Sequence, residues 1–336
     1  MLKIRNVIYI ILVTLLMVSL AFSVYFIMKT LQYTSTVDTK TATDEPSYHF
    51  VLISEEVGNP YWDEVKAGAK KAGKAFGAAV EFKGPAQSDK ELHAEAVEAA
   101  IAAKVDGIIV QGLDKQLLKP VINQAIQQGI PVITVDGDVP KSRRIAYVGT
   151  NNFQAGFQAG QTLIKATNGS AQVGIVTGGL ASSSQKQRIK GFRAALEKQS
   201  GMTIIAVESS HISRIQAAER TYKIFKEHPD VTALFGTSAL DGQGMAAVVG
   251  LLDKTNEVSI LAFDALQETL DLINKGSIDA TIAQQPYQMG YKSVNLMVDV
   301  INGRQVPEMN YTKTKVIRAQ DLPLNRPSMQ KGRERP

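Results

Sequence analysis

The sequence predicts an α/β protein of two similar lobes, each a doubly wound, mostly parallel sheet flanked by helices, preceded by one N-terminal transmembrane helix. Three observations carry the two-lobed class. From Tyr48 onward short β-rich runs alternate with helical patterns, the signature of strand–helix–strand units with right-handed crossovers. The runs are almost continuously apolar, as expected of strands covered on both faces. They fall into two sets on either side of Gly149-Thr150-Asn151-Asn152, and a chain of 336 residues accommodates two domains of ordinary size.

The elements follow in order. Val7 to Met28 is 22 residues without a charge, long enough as a helix to cross a hydrocarbon core. Lys3 and Arg5 precede it, which places the N-terminus in the cytoplasm and the body outside. A retained anchor is expected. Ala21-Phe22-Ser23 offers a cleavage site for the alternative, a secretory signal, but the apolar run continues past it. Thr34 to Ser47 has no apolar period and reads as a tether. The first set of strands is Phe50–Ile53, Val80–Phe82, Gly107–Val110 and Pro131–Val135. The second is Val173–Val176, Thr203–Ala206, Ala233–Phe235, Ile260–Phe263 and Ala280–Ala283. Between them, Trp62, Val65, Ala69, Ala72 and Phe76 form one helical stripe, and Leu92, Ala96, Ala99 and Ala103 another. Pro60 opens the first helix, where its missing N–H costs little. The expected layout is 1–29 anchor or uncleaved signal, 30–47 tether, 48–150 with about 285–312 first lobe, 151–284 with about 313–320 second lobe, and 321–336 disordered tail.

Composition excludes several chemistries. The chain has no cysteine, so disulfides, thiolate metal sites, a thiol nucleophile and a cysteine-linked lipid are ruled out. The formal net charge of +5 sits at the two ends, beside the apolar run and in the tail from Arg326. The body is close to neutral, which argues against a nucleic-acid surface. His49, His93, His211 and His228 form no i, i+4 pair; no metal or cofactor is expected, and each is read as a surface histidine. Three near-motifs fail. Gly68 to Ala75 imitates a phosphate-binding loop but lies within a helix and lacks the hydroxyl. Gly242-Gln-Gly244 comes too far after its strand for a dinucleotide turn. Gly236-Thr-Ser238-Ala-Leu240 lacks the last glycine of a nucleophile elbow.

In open α/β sheets ligands bind beyond the carboxyl ends of the strands. Those ends hold Asn59, Tyr61, Trp62, Asp136, Arg188, Ser238, Asp264 and Gln284. Carboxylates accept, a guanidinium donates, amides do both, and flat rings pack on C–H faces, a set that suits the hydroxyls and faces of a sugar.

With these segments in order, the chain resembles the ribose- and galactose-type sugar-binding proteins of bacterial transport and signalling, the type I periplasmic binding fold. The resemblance covers roughly Tyr48 to Arg318. It rests on Asn59-Pro60-Tyr61-Trp62, Gly129 to Asp136, Arg188-Ile189-Lys190-Gly191-Phe192, His228-Pro229-Asp230-Val231, Ala262-Phe263-Asp264 and Ala280 to Gln284. It implies that Asn59 bonds a ligand hydroxyl, Tyr61 and Trp62 flank the ring, and Asp136 accepts from two hydroxyls. It further implies that Arg188 donates from the second lobe and that Asp264 and Gln284 complete the polar ring. The chain departs from the ribose-type pattern at three places. Gly137 stands for a ligand-binding arginine, Ser238 for an asparagine, and Ile212 near a stacking aromatic. These changes remove a charge, an amide and a ring face and point to a sugar or sugar-like signal other than ribose.

The resemblance implies a non-enzymatic, monomeric receptor that presents its ligand to the permease of an ABC importer or to a sensor kinase or chemoreceptor. Two other classes compete: a glycoside hydrolase using Asp136 and Asp264 as its acid pair, and a repressor, which needs a helix-turn-helix where the apolar run stands.

Overall fold

Phe50 to Ile53 is an apolar run with no room for a solvated face, and it becomes the wholly buried part of β1 (Tyr48–Ile53), one strand in from an edge of the first sheet. The structure, a computed structural model, describes Thr14, residues 16–26, Met28, Lys29 and residues 46–323. The segment through Glu45 and the body from Pro46 are separate units. In the first, the described residues are helical. Much of the expected anchor and nearly all of the tether lie outside the described residues. Among the described residues no helix is long and apolar enough to cross a membrane.

In the body β1 is followed by α1 (Pro60–Phe76), β2 (Ala78–Lys83), α2 (Lys90–Ala102), β3 (Gly107–Gln111), α3 (Lys115–Gln127), β4 (Val132–Val135) and β5 (Ala146–Thr150). Then come α4 (Asn152–Ala166), β6 (Ser170–Thr177), α5 (Ser183–Leu196), β7 (Gly201–Ser209), α6 (Arg214–Glu227), β8 (Ala233–Gly236) and α7 (Asp241–Leu251). The chain ends with β9 (Ser259–Phe263), α8 (Gln267–Asn274), β10 (Ala280–Ala283), α9 (Pro286–Ile301), β11 (Met309–Thr312), β12 (Lys315–Arg318) and a 3-10 turn at Ala319–Asp321. Two six-stranded sheets result, with orders β11-β5-β4-β3-β1-β2 and β12-β10-β9-β8-β6-β7. All pairs are parallel except β10 with β12. The two lobes thus repeat one winding, and each sheet is sandwiched between two apolar clusters. The chain passes between lobes three times, after β5, after β10 and between β11 and β12.

Helix packing uses the same device twice. α1 meets α9 and α4 meets α5 at very close range. A Cβ on Gly68 would overlap the Tyr287 carbonyl, and one on Gly290 the Val65 carbonyl. In the second lobe a Cβ on Gly156 would overlap the Arg188 carbonyl, and one on Gly191 the Phe153 carbonyl. The glycine that imitated a phosphate-binding loop at position 68 is therefore a helix-crossing glycine.

Several expectations are corrected. The buried face of α2 is His93, Ala94, Val97, Ala100 and Ile101, one step round from the predicted stripe, with Leu92 in the first turn 51% exposed. His93 is not a surface residue but fully buried. Strands β5, β11 and β12 were not anticipated, because each is short and mixes polar residues with apolar ones. The expected tail begins within ordered structure: the Asp321 carboxylate accepts from the Arg318 backbone N–H at 3.0 Å, and Leu322 packs on the second lobe's core. The rest of it lies outside the described residues.

Candidate functional site

The carboxyl ends of strands from both sheets open onto one cleft of about 1030 Å³. Asn59, Tyr61, Trp62, Asp136, Arg188, Ser238, Asp264 and Gln284 all line it, and all are buried.

On the first lobe Asn59 caps α1. Its Oδ1 accepts from the Tyr61 N–H at 3.0 Å and its Nδ2 donates to Glu56 at 2.9 Å, leaving one amide hydrogen uncommitted. Tyr61 lies edge-to-face on Trp62, with centroids 5.5 Å apart. Its hydroxyl donates to Asp136 Oδ1 at 2.6 Å, so Tyr61 is an anchor for the carboxylate as well as an aromatic wall. Asp136 follows β4 in the left-handed region, φ +60°. That conformation is held by its own N–H on the Val148 carbonyl and by the Tyr147 hydroxyl on its carbonyl, 2.9 and 2.8 Å. Gln111 Nε2 donates to Asp136 Oδ2 and to Glu55 Oε2, both at 3.2 Å. Burial pushes the Asp136 carboxyl up, against the opposing pull of Arg188.

On the second lobe Arg188 projects from α5 and is held by three hydrogen bonds. Nε donates to Asn152 at 2.8 Å, Nη1 to the Thr237 carbonyl at 2.7 Å and Nη2 to Gln284 Oε1 at 3.0 Å. The guanidinium lies 3.9 Å over the Phe263 ring, which leaves its outer edge for the cleft. Gln284 Oε1 also accepts from Thr150 Oγ1 at 2.6 Å, and its Nε2 donates to Asp264 Oδ1 at 2.8 Å. Two of the three inter-lobe passages therefore meet at Gln284. Asp264 follows β9 at φ +68°, with its N–H on the Ile282 carbonyl and its own carbonyl accepting from Thr281. It repeats the posture of Asp136. Burial raises its pKa to about 6, partly countered by Arg188.

The Ser238 loop is pinned by Asp241, whose Oδ2 accepts from the Ser238 and Thr237 N–H groups at 2.8 and 3.1 Å. Burial lifts the Asp241 carboxyl to about 6. Ser238 Oγ has no hydrogen-bond partner among the described residues. Two of the departures from the ribose-type pattern now have a physical reading. A Cβ on Gly137 would lie 2.7 Å from the Gly112 carbonyl oxygen, so that loop admits no side chain. Ile212 takes φ +55° and crowds Gly178, whose added Cβ would meet it at 2.8 Å.

Glu55, Gln111, Thr150, Asn152 and Asp241 were not singled out in the sequence. Gln111 directly follows the predicted strand Gly107–Val110, and Glu55 lies within the segment after the first strand. Asn152 and Thr150 sit at the break between the two sets. Asp241 gives no signal, since it acts on the Thr237 and Ser238 backbone N–H groups and on the Ser210 hydroxyl, 31 residues away, which the fold brings to it. Among the described residues no group of three or more acidic or histidine side chains could hold a metal ion.

Two lobes of one winding, closing acceptors and donors around an aromatic-walled cleft, define a ligand-binding protein. Residues 50–305 match the periplasmic binding protein domain family, and the chain belongs to it, as a member of its ribose/galactose-type sugar-binding group. A D-allose-binding periplasmic protein of Escherichia coli (strain K12) is 24% identical over 77% of this chain and 86% of its own length. The crystal structure of GanP, a glucose-galactose binding protein from Geobacillus stearothermophilus, is 49% identical, with TM-score 0.81, over 82% of this chain and 99% of that one. A chain of the XylFII-LytSN complex is 40% identical, with TM-score 0.78, over 82% of this chain and 99% of its own.

Proposed function

We propose that this protein is an extracytoplasmic receptor that closes on a small neutral sugar and presents it, unaltered, to the permease of an ABC importer. The observation that carries the reading is the pair Asp136 and Asp264, on opposite lobes, in the same left-handed posture, facing one cleft with Arg188 between their electrostatic fields. Closing the lobes desolvates these groups and strengthens their hydrogen bonds to sugar hydroxyls, and the closed population grows with that differential affinity. The relatives named as sugar-binding proteins support the class of ligand.

The chain has one tryptophan, Trp62, in the cleft wall. Titration of the body from Tyr48 with pentoses and hexoses is expected to change its emission with ~μM affinity, worth about 8 kcal/mol. Asp136→Ala is expected to weaken binding at least ~100-fold, because hydrogen bonds to a charged acceptor are worth about 1.5–3 kcal/mol each. Parent-like binding by that variant would sink the site assignment. Recovery of a glycoside cleaved by the protein would favour the hydrolase instead.

A second output is signalling through a sensor kinase, and the likeness to a chain of the XylFII-LytSN complex favours it. Sugar-dependent capture of a kinase's extracytoplasmic domain, rather than of a permease, would select it. The apolar run Val7–Met28 supports anchoring of the receptor in the membrane; retention in the membrane pellet after alkaline extraction tests this.

A further inference from the structure

The segment Gly68 to Ala75, which only imitates a phosphate-binding loop, carries charges that neither the fold nor the cleft uses. Its glycines are accounted for by packing: a Cβ on Gly68 would overlap the Tyr287 carbonyl, and one on Gly73 would lie 2.5 Å from the Ala78 carbonyl oxygen. Its lysines are not. Lys70, Lys71 and Lys74 are exposed, and none has an ion-pair partner among the described residues. One turn earlier, the Lys66 amine lies 5.1 Å over the Phe82 ring. From Val65 to Gly77 the chain carries these four positive charges and no acid. Lys66 with Lys70 and Lys70 with Lys74 are like charges at i, i+4, which destabilise a helix. The helix dipole favours Lys74, in the last turn, but not Lys66 or Lys70. The place of this face in the chain is also specific. The Ser47 N–H donates to the Gly77 carbonyl at 2.7 Å, so the chain enters the body at the end of α1. Sixteen residues, 30–45, join Lys29 to Pro46, a reach of at most about 60 Å.

We infer that this face of α1 rests on the anionic phospholipid headgroups of the membrane that holds the apolar run. The inference builds on the anchored-receptor reading and goes beyond it. Lys66, Lys70 and Lys74 form a row along one side of the helix, which suits an extended layer of phosphates better than one small anion. Each lysine near such a surface adds about 5-fold in affinity. Contacts this weak become effective when a tether confines the body close to the surface. The cleft takes Asn59, Tyr61 and Trp62 from the other end of the same helix and none of the four lysines, so lipid contact and sugar binding do not compete.

The test uses the body from Pro46, which contains both sheets and all four apolar clusters, and sedimentable vesicles of phosphatidylcholine alone or of an equal mixture with phosphatidylglycerol. Binding to the anionic vesicles only is expected at low ionic strength, and its loss in molar salt, where the screening length shortens to about 3 Å. Lys70→Gln with Lys71→Gln and Lys74→Gln is expected to lower that binding about 100-fold. The same variant keeps the parent's sugar affinity and melts no lower, since like-charge pairs are removed. Lys165→Gln with Lys190→Gln and Lys198→Gln, at exposed positions of the second lobe, removes the same net charge and is expected to stay within about 5-fold of the parent. In the full chain reconstituted in the same two lipids, acylation of Lys70, Lys71 and Lys74 by an amine-reactive reagent is expected to slow in the anionic one alone. Equal binding to neutral vesicles, equal losses in the two triple variants, or acylation that ignores the lipid would overturn the inference. Capture of inorganic polyphosphate with no binding to vesicles would overturn it in favour of a soluble polyanion. Release of the full chain by alkaline extraction would overturn the anchor, and failure to bind any sugar the receptor reading; both are read separately from the vesicle result.

Discussion

Asp136 and Asp264 show how a residue's backbone sets its chemistry. In each, positive φ turns the carboxylate off the end of a strand while the backbone remains hydrogen-bonded to the neighbouring strand. Left-handed conformations are strained for residues with a Cβ and cluster where function needs them. His93 is the opposite case, a titratable group the cleft does not use. It is fully buried, neither ring nitrogen has a partner in good geometry, and burial drives its pKa down to about 4, which the Ile53 backbone only partly opposes. Because the unfolded imidazole titrates near 6.5, the unfolded chain binds more protons between pH 6.5 and 4, and stability falls as the pH drops through that window. The full cost is roughly 3 kcal/mol. Asp241 and Asp264, raised to about 6, act in the other direction, so the histidine's share must be isolated. Melting temperatures of the parent and His93→Leu at pH 7 and 4.5 do this. The parent is expected to lose more on acidification, and equal losses would show that the imidazole is charged or solvated in the fold.

At the scale of elements, the two glycine crossings decide where the cleft walls stand. Gly156 on α4 abuts the backbone of Arg188 on α5, so a methyl group there must push the helices apart and carry the guanidinium with it. Overpacking of this kind costs typically 1–3 kcal/mol. Gly156→Ala is expected to lower the melting temperature and also weaken sugar binding, whereas Gly68→Ala, at the equivalent crossing of α1 with α9, lowers stability with a smaller effect on affinity. Calorimetric melts and titrations of both variants check the contrast. The strands buried on both faces were legible because nothing polar interrupts Phe50–Ile53, Gly107–Val110 or Ile260–Phe263. β5, β11 and β12 were not, since an edge or a passage between lobes tolerates Tyr147, Asn310 or Arg318. The α2 stripe was misread by one position because Leu92, the largest apolar residue near its start, faces out while a histidine faces in. At the cleft, residues placed by strand ends were legible. Asp241 was not, because its partners are the Thr237 and Ser238 backbone N–H groups and the Ser210 hydroxyl, which the sequence does not mark as belonging together.

For the whole molecule, the shared strand order of the two sheets explains why Asp136 and Asp264 follow equivalent strands, β4 and β9, and so face each other. Ties across the passages are few and specific: Thr150 and Arg188 meet on Gln284, and Thr314 Oγ1 donates to Gln158 at 2.9 Å. A junction of that kind absorbs a swing of the lobes at a handful of residues while the sheets move as rigid bodies.

The seating of α9 and β11 in the first lobe has a practical corollary. Residues 46–150, produced alone, expose the face of α1 carrying Val65, Ala69 and Ala72, which Met289, Val294 and Met297 cover in the intact protein. That fragment is expected to be insoluble and to be rescued by complementation with a peptide spanning 286–323, as followed by soluble yield and circular dichroism. The gene therefore has no natural midpoint at which to be halved, and engineered variants that need separable halves call for circular permutation rather than a cut.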